Sequence, residues 1–315
     1  MSPSLQDARP AASGGSFLDP AALMRIRNLE LRAQVVVEGF WSGMHRSPFH
    51  GFSVEFTEYR PYVVGDDLRY LDWRLVARSD RYYIKKFEDE TNLPSHLLLD
   101  LSPSMNFKSL GWSKRDYAAT LAATFSQFLH DQGDAVGLLT FDDRVRDYLP
   151  SKHRKGHLRQ IMLALEKQSS ARITSLAEPL KRIVEIVRRR GLMILVSDLL
   201  APLEDLEKNL GHLAACGHDV VVFQVLDPAE TTFQFQKATR FEDMESGRDL
   251  YLNPSAARAR YLEAFGQHQS AAKSLCERLG IAFHVLTTDV PLDIALFEFL
   301  RDRLARGRKP VKTRR

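Results

Sequence analysis

Asp100, Ser102 and Ser104 stand in the run Asp100-Leu101-Ser102-Pro103-Ser104, a D-x-S-x-S pattern directly after the apolar segment HLLL. At average composition such a pattern arises about 0.1 times in a chain of this length. An acid at the end of a buried strand, followed by two hydroxyls in the departing loop, aims three oxygen groups into one crevice. In open α/β sheets ligands gather in such a crevice, outside the carboxyl ends of the strands. Asp198 ends a second apolar run, LMILVSD, and Thr174 stands in a loop before a helix on the neighbouring edge. Three hydroxyls and two carboxylates are hard donors, suited to Mg²⁺ or Mn²⁺ and poorly suited to Zn²⁺ or copper. Two carboxylates only neutralise a divalent ion. Where they act through water, the ion stays electrophilic enough to take an acidic side chain of another molecule as its last ligand. That chemistry is adhesion rather than hydrolysis. A second reading stays open at this point, because Asp and Ser also cap helices routinely.

The elements around these residues alternate strand and helix from His96 to about residue 305, the signature of a doubly wound, mostly parallel α/β sheet covered on both faces. HLLLDLS is the first buried strand, and a helix follows from about Lys114 to His130. AVGLLTFDD and RVRDYLP form a hairpin turning at Asp142-Asp143. Helices follow over about His153 to Lys167 and Ser175 to Arg190, then the strand LMILVSD, a helix through Leu206 and Leu213, and the strand DVVVFQVLD. A looser extended region runs from Thr231 to Leu252, then a long helix from Pro254 to Leu279, the strand IAFHVL and a last helix near Leu292 to Leu304.

Upstream, Asp19-Pro20 opens one amphipathic helix carrying Leu23, Ile26, Ala33, Val36, Val37 and Phe40 and ending near Gly43. Residues 51–90 read as a small α/β subdomain dense in charge, with seven basic and eight acidic residues between Glu58 and Glu90. Such charges read either as surface ion pairs of little individual worth or as a partner-docking surface. Within that surface Arg60, Asp66, Asp67, Asp72, Trp73 and Arg74 are the expected contacts. The expected organisation is a disordered 1–18, a helix plus charged subdomain over 19–92, the sheet domain over 93–305 and a basic tail over 306–315.

The chain has 315 residues, 44% of them hydrophobic and 27% charged, with 17 Gly and 14 Pro. That excludes collagenous, disordered and disulfide-stapled classes. Cys216 and Cys276 show no C-x-x-C pairing, which fits free buried thiols in a reducing compartment, so a cytoplasmic location is expected. The net charge of +4 is a property of the tail: the last fifteen residues hold eight of the 44 basic and one of the 40 acidic residues. A solvated tail is the bland reading; attachment to nucleic acid through it ranks last, since one tail does not make a nucleic-acid-binding domain. No apolar run approaches the length needed to span a bilayer.

Neither a G-x-x-x-x-G-K-[ST] nor a G-x-G-x-x-G motif is present, and H-E-x-x-H and G-x-S-x-G are absent too. His153 and His157 have metal-ligand spacing, but the surrounding run KHRKGH is cationic, so a solvated helix start is the expectation.

D-L-S-P-S-M followed by a helix, Thr174 and the strand-terminal Asp198 resemble the metal-ion-dependent adhesion site of a von Willebrand factor A domain. More specifically, the block EFTEYRPYVVGDDLRYLDWRLVAR ahead of that site resembles the domain-of-unknown-function 58 family, and the likeness extends from about Leu29 to Val285, including GDAVGLLTFDD and HDVVVFQVLDP. The resemblance implies that the two serines and Thr174 ligate the metal directly or nearly so, with Asp100 and Asp198 acting largely through water. It also implies a bacterial protein that partners a MoxR-type AAA+ ATPase in maturing or remodelling other proteins. Ser175 stands where an aspartate is common in the family and Lys108 where a glycine is common; the first bears on metal affinity.

The expectation is a non-enzymatic, Mg²⁺-dependent interaction module that captures an acidic residue of an AAA+ ATPase or of a client protein. The alternative is a Mg²⁺-dependent phosphoester hydrolase using the same crevice. That reading needs a nucleophile or base, and Ser102 stands where haloacid-dehalogenase-like phosphatases carry a second aspartate.

Overall fold

The computed structural model describes residues 18–46, 58–61, 83–86, 94–167, 177–235, 239–242, 249–252 and 254–307. Contacts divide the chain into two units, one comprising Met1–Met44 with Leu93–Arg315 and a smaller one comprising His45–Asn92.

The larger unit is built on six strands: β3 (Ser95–Asp100), β4 (Val136–Phe141), β5 (Val145–Lys152), β6 (Leu192–Ser197), β7 (Asp219–Leu226) and β10 (Ala282–Thr287). Their spatial order is β10-β7-β6-β3-β4-β5, all neighbours pairing in parallel except β4 with β5. This is the doubly wound, mostly parallel sheet expected from the sequence, with the antiparallel hairpin at one edge. The chain leaves β3 towards β4 and later returns to β6 on the other side of β3. The loops after β3 and β6 therefore part at a topological switch point, where this class of sheet binds ligands.

Strands buried on both faces read as unbroken apolar runs, and β3, β4 and β6 are buried at every position. Alternate residues serve opposite layers. Leu97, Leu99, Ile194, Val196 and Phe223 face a core with α2 (Leu29–Arg46), α3 (Lys114–Asp131), α4 (His157–Leu165) and α9 (Asp293–Gly307). Leu98, Met193, Leu195 and Val222 face α5 (Ala177–Ile186), α6 (Leu203–Ala215) and α8 (Pro254–Arg278). Each fully buried Leu, Ile or Phe contributes about 2 kcal/mol. Gly191 permits the closest approach, since a Cβ there would lie 2.3 Å from the Pro94 carbonyl oxygen.

The structure corrects four expectations. The N-terminal helix is two: α1 (Pro20–Met24), capped by Asp19, and α2, whose start is capped by Asn28. Both bury apolar residues in the sheet unit, where Phe40 meets Phe128 edge-on and Trp41 stacks on it, so residues 19–44 do not group with the charged block. The region from Thr231 to Leu252 begins with the end of α7 (Pro228–Thr232) and carries an antiparallel strand pair, β8 (Thr239–Glu242) and β9 (Asp249–Leu252). Of the two free thiols only Cys276 is buried; Cys216 is exposed.

In the smaller unit β1 (Glu58–Pro61) pairs antiparallel with β2 (Tyr83–Lys86), Arg60 opposite Ile84. Residues 62–82 of the charged subdomain, residues 1–17 of the stretch expected to be disordered and all but the start of the basic tail lie outside the described residues, while Leu18, expected to be disordered too, packs against the core. Among the described residues no helix is long and apolar enough to cross a membrane.

Candidate functional site

Asp100 closes β3 and is fully buried. Its Oδ1 accepts the Ser102 amide at 2.8 Å and its Oδ2 the Ser197 hydroxyl at 2.6 Å, so the side chain is clamped from its own loop and from the end of β6. Pro103 then starts a 3₁₀ turn, Pro103–Asn106, in which the Met105 amide donates to the Ser102 carbonyl and the Met105 side chain is sunk in the core. The turn brings the Ser102 and Ser104 hydroxyls to 3.0 Å from one another, Ser104 being the more exposed.

Asp198 follows β6 through a strained turn. Leu199 has φ of 56°, a left-handed backbone costly for a residue with a Cβ, by about 1–3 kcal/mol. The turn persists because its groups are over-determined. The Ser197 hydroxyl accepts the Leu199 amide, Gln224 donates to the Asp198 carbonyl, and the His268 ring is 2.9 Å from the Leu199 carbonyl. The result aims Asp198 at the mouth of β3. Burial, and then the nearby Asp198 charge, push the Asp100 carboxyl up to about 7, against the hydrogen bonds from Ser197 and Ser102 that favour its ionised form. A cation between the two carboxylates relieves that repulsion, and two adjacent hydroxyls supply neutral oxygen donors beside it. The donor set thus fits a hard divalent ion. Among the described residues no three of His, Cys, Asp and Glu converge to hold a metal, so an ion here depends on the serines.

Further residues at this crevice went unread in the sequence. Lys114, at the first turn of α3, is wholly buried; its ammonium donates to Asp198 Oδ2 at 2.8 Å and Glu230 Oε1 at 2.6 Å. Burial opposes that ammonium, but the two carboxylates outweigh it and hold its pKa above the ordinary lysine value. Asp227 ends β7 and caps α7, and its carboxylate accepts both the amide and the hydroxyl of Ser109, tying the loop after β3 to a third strand end. The legible signal was the run Asp227-Pro228-Ala229-Glu230, a capping Asp, a first-turn proline and a glutamate three residues on. For Lys114 sequence carried no signal.

Asp100, Ser102 and Ser104 lie together at the end of β3, and Asp198 stands at the end of the neighbouring β6. Thr174 lies outside the described residues, as do Asp66, Asp67, Asp72, Trp73 and Arg74; Arg60 lies on β1 of the smaller unit. His157 is buried rather than solvated, its Nε2 2.8 Å from the Val136 carbonyl, while the exposed His153 has its Nδ1 3.2 Å from the Asp134 carbonyl.

The model of the family described as "Protein of unknown function DUF58" matches residues 58–271. The chain belongs to the DUF58 family. This DUF58 protein is 27% identical over 285 residues to uncharacterized proteins of Mycobacterium bovis and Mycobacterium tuberculosis, covering 89% of this chain and 89% of each relative. Among solved structures it is similar to the conserved hypothetical protein BatB of Bacteroides thetaiotaomicron, at 17% identity and a TM-score of 0.44, covering 67% of this chain and 98% of that one. It is also similar to the SpRpn10 VWA domain, at 10% identity and a TM-score of 0.37, covering 64% of this chain and 92% of that one.

Proposed function

We propose that this DUF58 protein is a non-enzymatic interaction module that uses a single Mg²⁺ or Mn²⁺ to capture an acidic side chain of a partner. The observation that carries the reading is that Asp100, Ser102 and Ser104 are hydrogen-bonded together at the end of β3, with the Asp198 charge acting on Asp100 from the end of β6 across the switch point of the sheet. Ser102 and Ser104 would hold the ion with Thr174 completing the hydroxyl set, and Asp100 and Asp198 would act largely through water. Each Asp100 oxygen already accepts a protein hydrogen bond, as does each Asp198 oxygen, from Lys114 and from the Leu200 amide. An ion with so little direct anionic ligation retains charge for an incoming carboxylate. The same restraint supports adhesion over phosphoester hydrolysis, since both Asp100 oxygens are held by Ser102 and Ser197 and neither is free to attack phosphorus as a nucleophile.

The partner we propose is a MoxR-type AAA+ ATPase or a client protein presenting Asp or Glu, met in the cytoplasm, with Arg60, Asp66, Asp67, Asp72, Trp73 and Arg74 as a second contact. The test is a pull-down from bacterial cytosol in excess Mg²⁺ with wild type, wild type plus EDTA, and Asp100→Ala, bound proteins being identified by mass spectrometry. An AAA+ ATPase or client retained by wild type and lost in both controls supports the reading. Identical capture in all three would falsify metal gating and leave the D-x-S-x-S loop a structural cap.

A further inference from the structure

Lys114 breaks two local rules at once. It places a cation in the first turn of an eighteen-residue helix, the end at which the helix dipole disfavours positive charge, and it does so with no exposed side-chain surface. Such a residue is kept only where its surroundings hold it. Here the holders are specific: Asp198 at 2.8 Å, 3% exposed, and Glu230 at 2.6 Å, 13% exposed. Glu230 is fixed in turn, because its second oxygen accepts the Asp227 amide at 2.8 Å within a capping box. The ends of β6 and β7 thus fix one positive charge against one carboxylate of the crevice, Asp198. A lysine serving only as a brace has no need of that carboxylate.

We propose that the Lys114 ammonium, held in place by Glu230, is a built-in positive charge of the cation crevice that takes up Asp198 and so sets how tightly the crevice holds a divalent ion. The inference rests on the metal-dependent reading above and names the residues that tune it. Lys114 keeps one Asp198 oxygen engaged and adds positive potential beside the ion, which lowers metal affinity and leaves the ion receptive to an external carboxylate. Glu230 works in the opposite sense by offsetting part of that charge. The two residues are positioning residues: neither need touch the metal or the partner's acid.

The sign of two substitutions separates this role from a brace. Mn²⁺ is titrated into the full-length wild type, Glu230→Gln and the double variant Lys114→Met/Glu230→Gln, with free Mn²⁺ read by electron paramagnetic resonance and folding checked by circular dichroism. Glu230→Gln removes only the offsetting charge and is expected to weaken Mn²⁺ binding about three-fold or more. The double variant removes the ammonium as well and is expected to bind about ten-fold more tightly than wild type. Binding by the double variant alone overturns both the proposal and the metal reading, as the ammonium then replaces the ion in the wild type instead of tuning it. Equal affinity in all three overturns it while the metal site stands. No binding in any folded variant overturns both the metal reading and this inference. Should the double variant fail to fold, Glu230→Gln, which keeps the Lys114–Asp198 pair, decides: unchanged affinity overturns the proposal.

Discussion

Replacing Lys114 by Met leaves shape nearly unchanged and removes one charge, so its effect on stability is an electrostatic measurement. In the wild type the ammonium lies between two carboxylates at 2.8 and 2.6 Å, with side-chain exposures of 0%, 3% and 13%. At an effective dielectric constant of about 20, each contact is worth about 6 kcal/mol before solvation is counted. Desolvation of three ions takes back most of that, which makes the intact trio roughly neutral in net stability. The variant is different, because two buried carboxylates then face each other without their cation, and losing one partner of a buried ion pair costs about 3–5 kcal/mol. For a unit of this size that is a fall in melting temperature of about 8 °C. Urea unfolding followed by tryptophan fluorescence, run in EDTA, measures it. Adding Glu230→Gln is expected to recover part of the loss, with a double-mutant coupling of about 1–3 kcal/mol. A Lys114→Met protein within 1 kcal/mol of wild type, or a double variant that loses the sum of the two single effects, refutes the buried trio.

His96 is the second residue of β3, where burial, then the nearby His218, lower its pKa to about 4. Because the unfolded chain binds the proton more tightly, the His96 contribution to stability is complete above about pH 6.5 and falls by up to about 3 kcal/mol as pH drops toward 4. The difference in urea stability between wild type and His96→Gln, measured from pH 7.5 to 4.5, should show that slope, and a difference that does not change with pH would contradict it. Gly191→Ala drives a Cβ to 2.3 Å from the Pro94 carbonyl oxygen, backbone that cannot yield without parting β3 from β6, so a loss of about 3 kcal/mol is expected in thermal melts. Ser197→Ala removes the donor to Asp100 and the acceptor for the strained Leu199 amide and should cost about 2 kcal/mol; a cost near zero would show that neither bond matters.

The sheet was legible because β3, β4 and β6 are buried on both faces and leave continuous apolar runs, and because Asp142-Asp143 marks its one antiparallel turn. Asp100, Ser102, Ser104 and Asp198 were legible for a related reason. Strand ends can be read from apolar runs, and a doubly wound sheet gathers its strand ends on one edge. The break between α1 and α2 was not legible, since Leu23, Ile26 and Ala33 keep a helical spacing across it while the Asn28 cap restarts the helix. Nor did spacing show that α2 belongs to the sheet, because an apolar stripe names no partner; Phe128, which receives Phe40 and Trp41, is 88 residues downstream of Phe40. Lys114 was hidden most completely. A lysine at a helix start reads as a solvated charge, and only the packing of β6 and α7 around it gives it Asp198 and Glu230.

Metal-gated capture requires that this chain bind a divalent ion at the end of β3. Isothermal titration of Mn²⁺ into the full-length wild type, Asp100→Ala and Ser102→Ala/Ser104→Ala tests that most directly. The expected result is one ion per wild-type chain, displaced by Mg²⁺, with binding at least about ten-fold weaker in both variants. No binding to the wild type, or equal binding to all three folded proteins, would contradict the central claim.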